Sequence, residues 1–208
     1  MLASRFLNNP RRVVILPAAV AAGALLAVLL LVVLPGGGNS RVTYVDSSGR
    51  ALLYTTGHRP LAPDFTGTTL TGSRLSFSSY RGRVVVVNFW GSWCGPCRDE
   101  APALAAAAQQ YRTSGVAFLG VDVRDTTASA EAFARNFGIT YPSVSDTSSV
   151  ITLDFTAAVP IAGTPTTLVV DRTGHIAGAV FGTATYPELS TILAKVTGTT
   201  AGGTVTSP

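Results

Sequence analysis

Cysteine and histidine are scarce in this 208-residue chain, with two of each. That scarcity excludes a disulfide-stapled scaffold, which needs several widely spaced cysteines. It also argues against zinc: two cysteines would need two further ligands, and His58 and His175 lie far off in sequence. Charge is scarce as well, at 12% of residues against 47% hydrophobic. A disordered chain shows the opposite balance. No basic cluster with interleaved aromatics occurs, so the net charge of +4 does not point to nucleic acid. Three of the basic residues, Arg5, Arg11 and Arg12, precede a long apolar run, and the rest of the chain is near neutral. There is no internal repeat.

What is present starts with that run. Val13–Leu34 is almost unbroken in its apolar character, and as a helix it would span about 33 Å, enough to cross a bilayer core. Pro17 and Gly23 are tolerable in such a helix. The preceding arginines place residues 1–12 in the cytoplasm and everything after residue 34 outside. The expectation is a single-pass signal-anchor in the cell membrane with an extracytoplasmic domain, where disulfides persist. A cleaved signal peptide is the competing reading, because Pro35-Gly-Gly-Gly38 is small enough to admit cleavage. Residues 35–60 read as a linker and extended arm, in which the turn signal Asp46-Ser-Ser-Gly49 between Arg41–Tyr44 and Ala51–Tyr54 suggests a hairpin or an extended segment. Residues 198–208 read as a disordered tail.

From residue 61 to 197 the elements alternate. Thr68–Leu70 and Leu75–Phe77 suggest a hairpin. Val84–Trp90, VVVVNFW, reads as a strand buried on both faces. Pro96–Tyr111 reads as a helix, bent by Pro102. Val116–Val121 is a second buried strand, and Ala128–Phe137 a helix ended by Gly138. Val150–Phe155 suggests a short helix. Thr166–Val170 and His175–Phe181 read as strands, and Tyr186–Val196 as a closing helix. This order predicts an α/β sandwich with a mixed central sheet.

The chemistry lies in Trp93-Cys94-Gly95-Pro96-Cys97, which ends the first buried strand and opens the next helix. Unpaired N–H groups and the macrodipole at a helix start stabilise a thiolate at Cys94. Gly95 permits a tight turn, and Pro96 lacks an N–H that would have no partner there. Cys97, one turn on, can resolve a mixed disulfide formed at Cys94. Two cysteines closing so short a loop stabilise little, so reactivity explains them better. No cofactor is needed beyond that redox-active pair, and no metal is expected. Trp93 is expected to shield the disulfide and contact substrate. A second feature is Gly163-Thr-Pro-Thr-Thr167, ahead of a strand. Pro165 is either an ordinary strand-start proline or follows a cis bond that turns the Thr164 backbone to the dithiol, where an extended substrate could pair.

These residues resemble the TlpA/ResA branch of thioredoxin-like proteins. The likeness is carried by NFWGSWCGPCRDEAP from Asn88 to Pro102 and by GTPTTLVVD from Gly163 to Asp171. Ala62-Pro63-Asp64-Phe65, Arg81–Val87 and the stretch Val121–Asp146, with Tyr141-Pro142, also fit that branch. The resemblance implies a thioredoxin-like three-layer sandwich behind one transmembrane helix. It implies an exported, membrane-held reductase of protein disulfides, apocytochrome c among them, supplied with electrons by a transmembrane thiol reductase. Plain thioredoxin carries an Asp where this chain has Asn88, which cannot titrate. Some ResA-like reductases have a Glu where this chain has Glu100, which implies a proton-handling role one turn beyond Cys97. Its ordinary alternative is a helix N-terminal acid that favours the dipole. Those reductases often carry an acid between the cysteines, where Gly95-Pro96 stands here.

Three rival functions remain at this stage: a DsbA-like thiol oxidase, a peroxiredoxin-like thiol peroxidase, and a non-enzymatic binding module on the same scaffold. A peroxidatic cysteine sits in a Pro/Thr-rich turn, and Cys94 follows Trp93 instead.

Overall fold

A computed structural model describes residues 41–198. The expected transmembrane helix at 13–34, the cytoplasmic residues before it and the tail after Gly198 lie outside the described residues. Among the described helices none is long and apolar enough to cross a membrane.

Strand β5 (Val84–Trp90) is buried along its whole length, as its unbroken β-branched run predicts. Its neighbours are β6 (Val116–Val123), parallel, and β8 (Thr166–Val170), antiparallel. Alternate side chains leave opposite faces of these strands. Val85, Val87 and Phe89 meet Leu119, Val121 and Leu168 on one face. That face is closed by Phe65, Phe77 and α3 (Val150–Ala158), whose Phe155 ring lies 5.2 Å from Phe89 and 6.0 Å from Phe65. Full burial of a ring such as Phe155 contributes roughly 2–3 kcal/mol. Val84, Val86 and Phe118 point the other way, onto α1 (Gly95–Tyr111) and α4 (Tyr186–Thr197) through Leu104, Leu189 and Ile192. Helix α2 (Thr127–Asn136) covers the top of this second face, with Phe133 stacked on Trp90 at 4.6 Å. The result is a three-layer α/β sandwich with a mixed sheet.

The helix ends follow their sequence signals. Thr126 caps α2, accepting the Ser129 N–H, and Gly138 follows it at φ 66. A reciprocal Thr185/Glu188 cap starts α4. Helix α1 continues through Pro102 to Tyr111.

Two parts of the sheet differ from expectation. The strand order is β1-β2-β9-β8-β5-β6-β7, where β1 is Val42–Tyr44, β2 Ala51–Tyr54, β7 Ser143–Asp146 and β9 Ile176–Phe181. The hairpin suggested around Asp46–Gly49 forms as β1 against β2, but residues 35–60 were expected outside the domain, and β2 pairs with β9 through Leu52 and Ala179. The cause is burial of Ala51 and Leu52, which an arm in solvent would leave exposed. Strand β7 was not anticipated. It carries one apolar residue, Val144, and is held by parallel pairing with β6 from Gly120–Ser143 to Val123–Asp146. A small hairpin, β3 (Thr66–Thr68) with β4 (Arg74–Ser76), packs beside it.

Candidate active site

The loop Gly91-Ser92-Trp93 leaves β5 and turns into α1. Cys94 has extended backbone angles, φ −84 and ψ 112, and serves as the N-cap. Its Sγ accepts the Cys97 N–H at 3.2 Å, so one of the helix's unpaired donors already points at the sulfur. Cys94 and Cys97 are joined as a disulfide. Both are buried, whereas Gly95 and Pro96 between them are exposed. Trp93 is 56% exposed, and its Nε1–H donates to the Val123 carbonyl at 2.9 Å. Gly91 makes room for that indole, since a Cβ there would lie 2.5 Å from the Trp93 Nε1. Arg98 Nη2 donates to the Ser92 carbonyl at 3.1 Å, which fastens the loop from the helix side.

Glu100 sits one turn further along α1, facing the sheet and 1% exposed. Its Oε1 accepts from Asn88 Nδ2 at 2.7 Å and its Oε2 from the Ala184 N–H at 2.8 Å. Asn88 also donates to Thr167 Oγ1 at 3.0 Å. Burial pushes the Glu100 carboxyl up to about 7, against the two hydrogen bonds, which favour its charged form. A carboxyl balanced near neutrality, one turn from a dithiol, can hold or release a proton as the sulfurs change state. Both of its oxygens are taken by Asn88 and Ala184.

The Thr164–Pro165 bond is cis. Pro165 is buried and Thr164 half-buried. Pairing of Phe89 with Thr166 places residue 165 beside the end of β5, where the cysteine loop begins. The Pro165 carbonyl accepts the Gly182 N–H at 2.9 Å. The backbone groups of Thr164 have no partner among the described residues.

The structure thus gathers Trp93, Cys94, Gly95, Pro96, Cys97 and Glu100 at one end of the sheet, with residue 165 adjacent by register. His58 is exposed, and His175 Nδ1 bonds Thr173 Oγ1 at 2.9 Å, far from any ligand set. No group of three or more potential metal ligands occurs among the described residues. Sequence reasoning missed the Asn88–Glu100 bond and a second buried acid, Asp122. The latter carried a signal: a lone acid inside the apolar strand VAFLGVDV.

Residues 59–179 match the AhpC/TSA family. Thiol-disulfide oxidoreductase ResA of Geobacillus kaustophilus (strain HTA426) is 36% identical over 135 residues, which cover 65% of this chain and 75% of that protein. The chain belongs to the ResA-like thiol–disulfide oxidoreductases of the thioredoxin superfamily. ResA of Bacillus subtilis (strain 168) is 32% identical over 124 residues, 60% of this chain and 67% of that one. Among solved structures, a secreted thiol-disulfide isomerase from Corynebacterium glutamicum has a TM-score of 0.67 at 26% identity, over 75% of this chain and 96% of that one. A DsbF homologue from Corynebacterium diphtheriae gives 0.62 at 29% identity, over 74% and 98%. The ResA-like chain described here is therefore an enzyme that exchanges disulfides with protein substrates.

Proposed function

We propose that this oxidoreductase works as a reductase outside the cytoplasm, held in the cell membrane by residues 13–34. The observation that carries the reading is Cys94 at the cap of α1, with a helix N–H on its sulfur and Cys97 within bonding reach. In the reduced protein Cys94 is the thiolate that attacks a substrate disulfide. One sulfur of the substrate leaves as a thiolate and the other stays bonded to Cys94. Cys97 then attacks the Cys94 sulfur and expels the second substrate thiolate. Two electrons pass to the substrate, its two sulfurs take up protons, and the Cys94–Cys97 disulfide remains. Glu100 accepts the Cys97 proton in this step and returns it on re-reduction; its position near neutrality suits both directions. Trp93, Gly95 and Pro96 form the exposed contact surface. The free backbone of Thr164 pairs with an extended substrate segment, beside Pro165. No bound cofactor is required, because the dithiol stores the electrons.

The donor in this reading is a transmembrane thiol reductase and the substrate apocytochrome c, the partners that the resemblance of residues 88–102 and 163–171 implies. The apolar run with its leading arginines supports export, as does the description of the C. glutamicum neighbour as secreted. An oxidising role is the second reading, because the same dithiol can run the exchange in either direction. Potential separates them: a value near thioredoxin's, about −270 mV, fits the reductase, and one near −120 mV the oxidant. Peroxide consumption by the purified protein would reveal a peroxidase. Cys97→Ser is expected to stop turnover and to accumulate mixed disulfides at Cys94 in membranes. If no partner is trapped, the mechanism fails.

A further inference from the structure

Asp122 interrupts the apolar run of β6 and is 0% exposed. Its alternation with Val121 and Val123 puts it on the sheet face of Trp90, opposite which it pairs in parallel register. Neither of its oxygens meets a donor among the described residues. The group at hydrogen-bonding range is another acid, Asp125, and Asp146 at the end of β7 adds a further negative neighbour. The cations nearby in sequence and on α1 are engaged elsewhere: Arg98 with the Ser92 carbonyl, Arg124 Nε with Ser149 Oγ at 2.9 Å. Strand β5 presents Trp90 at this level. Two carboxyls packed this closely resist ionising together, so one holds a proton up to about neutrality. Burial assigns it to Asp122, whose carboxyl is pushed up to about 7, first by desolvation and then by Asp125 and Asp146. A protonated Asp122 has a hydrogen to give, and Asp125 is there to accept it.

Asp125 in turn grips the active-site loop. Its Oδ2 accepts the Ser92 N–H at 2.6 Å, and its Oδ1 the Thr126 N–H at 2.7 Å. Between the two acids, the Val123 carbonyl holds the Trp93 indole. Arg124 takes φ 50 there, a conformation few non-glycine residues adopt, so the chain from 122 to 125 is bent to bring these contacts together.

We propose that Asp122 is a positioning residue for the dithiol, forming with Asp125 a proton-sharing pair that clamps the loop Gly91–Trp93 ahead of Cys94. Loss of the shared proton sets two negative charges in one buried corner. Asp125, which is half-buried, then turns toward solvent and releases the Ser92 N–H, and Trp93 loosens with it. Glu100 takes no part, since its bonds run to Asn88 and Ala184. The inference rests on the oxidoreductase reading only for the consequence of moving the loop, and its test reads the loop directly.

The test is tryptophan emission of the full-length protein as its disulfide, titrated from about pH 5.5 to about 8.5, the range that brackets neutral titrations. The disulfide form removes thiol titration, Trp90→Phe leaves Trp93 on the loop as the single indole, and Glu100→Gln removes the other carboxyl pushed up to about 7. One emission step near neutrality is expected in that background. Adding Asp122→Asn, which keeps the shape and a hydrogen for Asp125 but does not titrate, should abolish the step. Asp125→Asn, at a more exposed position, removes a like charge and should move the midpoint down by on the order of one pH unit. A step unchanged by Asp122→Asn, or a midpoint unmoved by Asp125→Asn, overturns the proposal. Failure to reduce substrate disulfides would sink the reductase reading and leave this emission step as it is, so the two fail separately.

Discussion

Glu100 and Asp122 are two carboxyls buried on the same face of one sheet, both pushed up to about 7, yet their surroundings are opposite. Glu100 lies on the β8 side of β5 and is surrounded by donors, from Asn88 and the Ala184 backbone. Asp122 lies on the β6 side among acids and meets no donor. The same raised pKa therefore has different meanings. Around Glu100 the protein is built for the charged form and burial alone resists it. Around Asp122 both burial and neighbours demand the neutral form. The first arrangement suits a group that passes its proton to a reacting sulfur, the second a group that shares its proton with a neighbouring acid.

The sharpest way to break that contrast is to delete each carboxyl. Glu100→Ala orphans two buried donors, each costing roughly 1–3 kcal/mol, so a loss of several kcal/mol is expected in urea unfolding near pH 6. Asp122→Ala orphans no donor, and its loss of one hydrogen bond should cost only about 1 kcal/mol under the same conditions. Equal losses for the two variants would show that the surroundings do not differ in the way described.

A smaller effect lies in the pH dependence of stability. The ordinary values are 4.5 for Glu100 and 3.8 for Asp122, and both carboxyls hold a proton up to about 7 in the folded protein. Folding thus takes up protons between those limits. Stability is full below the unfolded values and falls as pH rises through 7, by on the order of 3 kcal/mol per group. Unfolding midpoints in urea, followed from pH 4 to 8, should decline in the native chain. The decline should flatten by about half in either Glu100→Gln or Asp122→Asn. A stability that rises across this interval would contradict both assignments.

Much of this site was legible because its signals are local. The run VVVVNFW delimits β5 to the residue, and the Trp93–Cys97 motif marks the junction of strand and helix. Gly163-Thr-Pro marks the segment that comes to lie beside it. What could not be read depends on distant partners. Ser143–Asp146 has almost no strand pattern of its own and exists as β7 because β6 offers an edge. Ala51–Leu52 looks like part of an arm until β9 covers it. Glu100 invited a reading through its neighbour Cys97, but its bonds reach Asn88 and Ala184, and local spacing says nothing of either. Asp122 could have been found as an acid with no reason to stand in a buried strand. Its partner Asp125 could not, because an acid beside Thr126 also reads as part of the helix start.

The smallest expected effect concerns Trp93, which belongs to the Asp122 side alone. Its indole makes one bond, to the Val123 carbonyl, and leaves 56% of its surface in solvent. Trp93→Phe keeps an apolar face and removes the donor, so stability should change by no more than about 1 kcal/mol. Trp93→Ala removes the face as well. If the ring serves as substrate contact, Ala raises KM about fivefold at unchanged kcat, the equivalent of about 1 kcal/mol of binding, and Phe spares KM. If instead the ring matters because it ties the loop to β6, both variants lower kcat together, since both cut the tie to Val123. The first pattern would make Trp93 a reader of substrate that the Asp122 corner merely holds in place. The second would extend that corner's grip to the reacting sulfur itself.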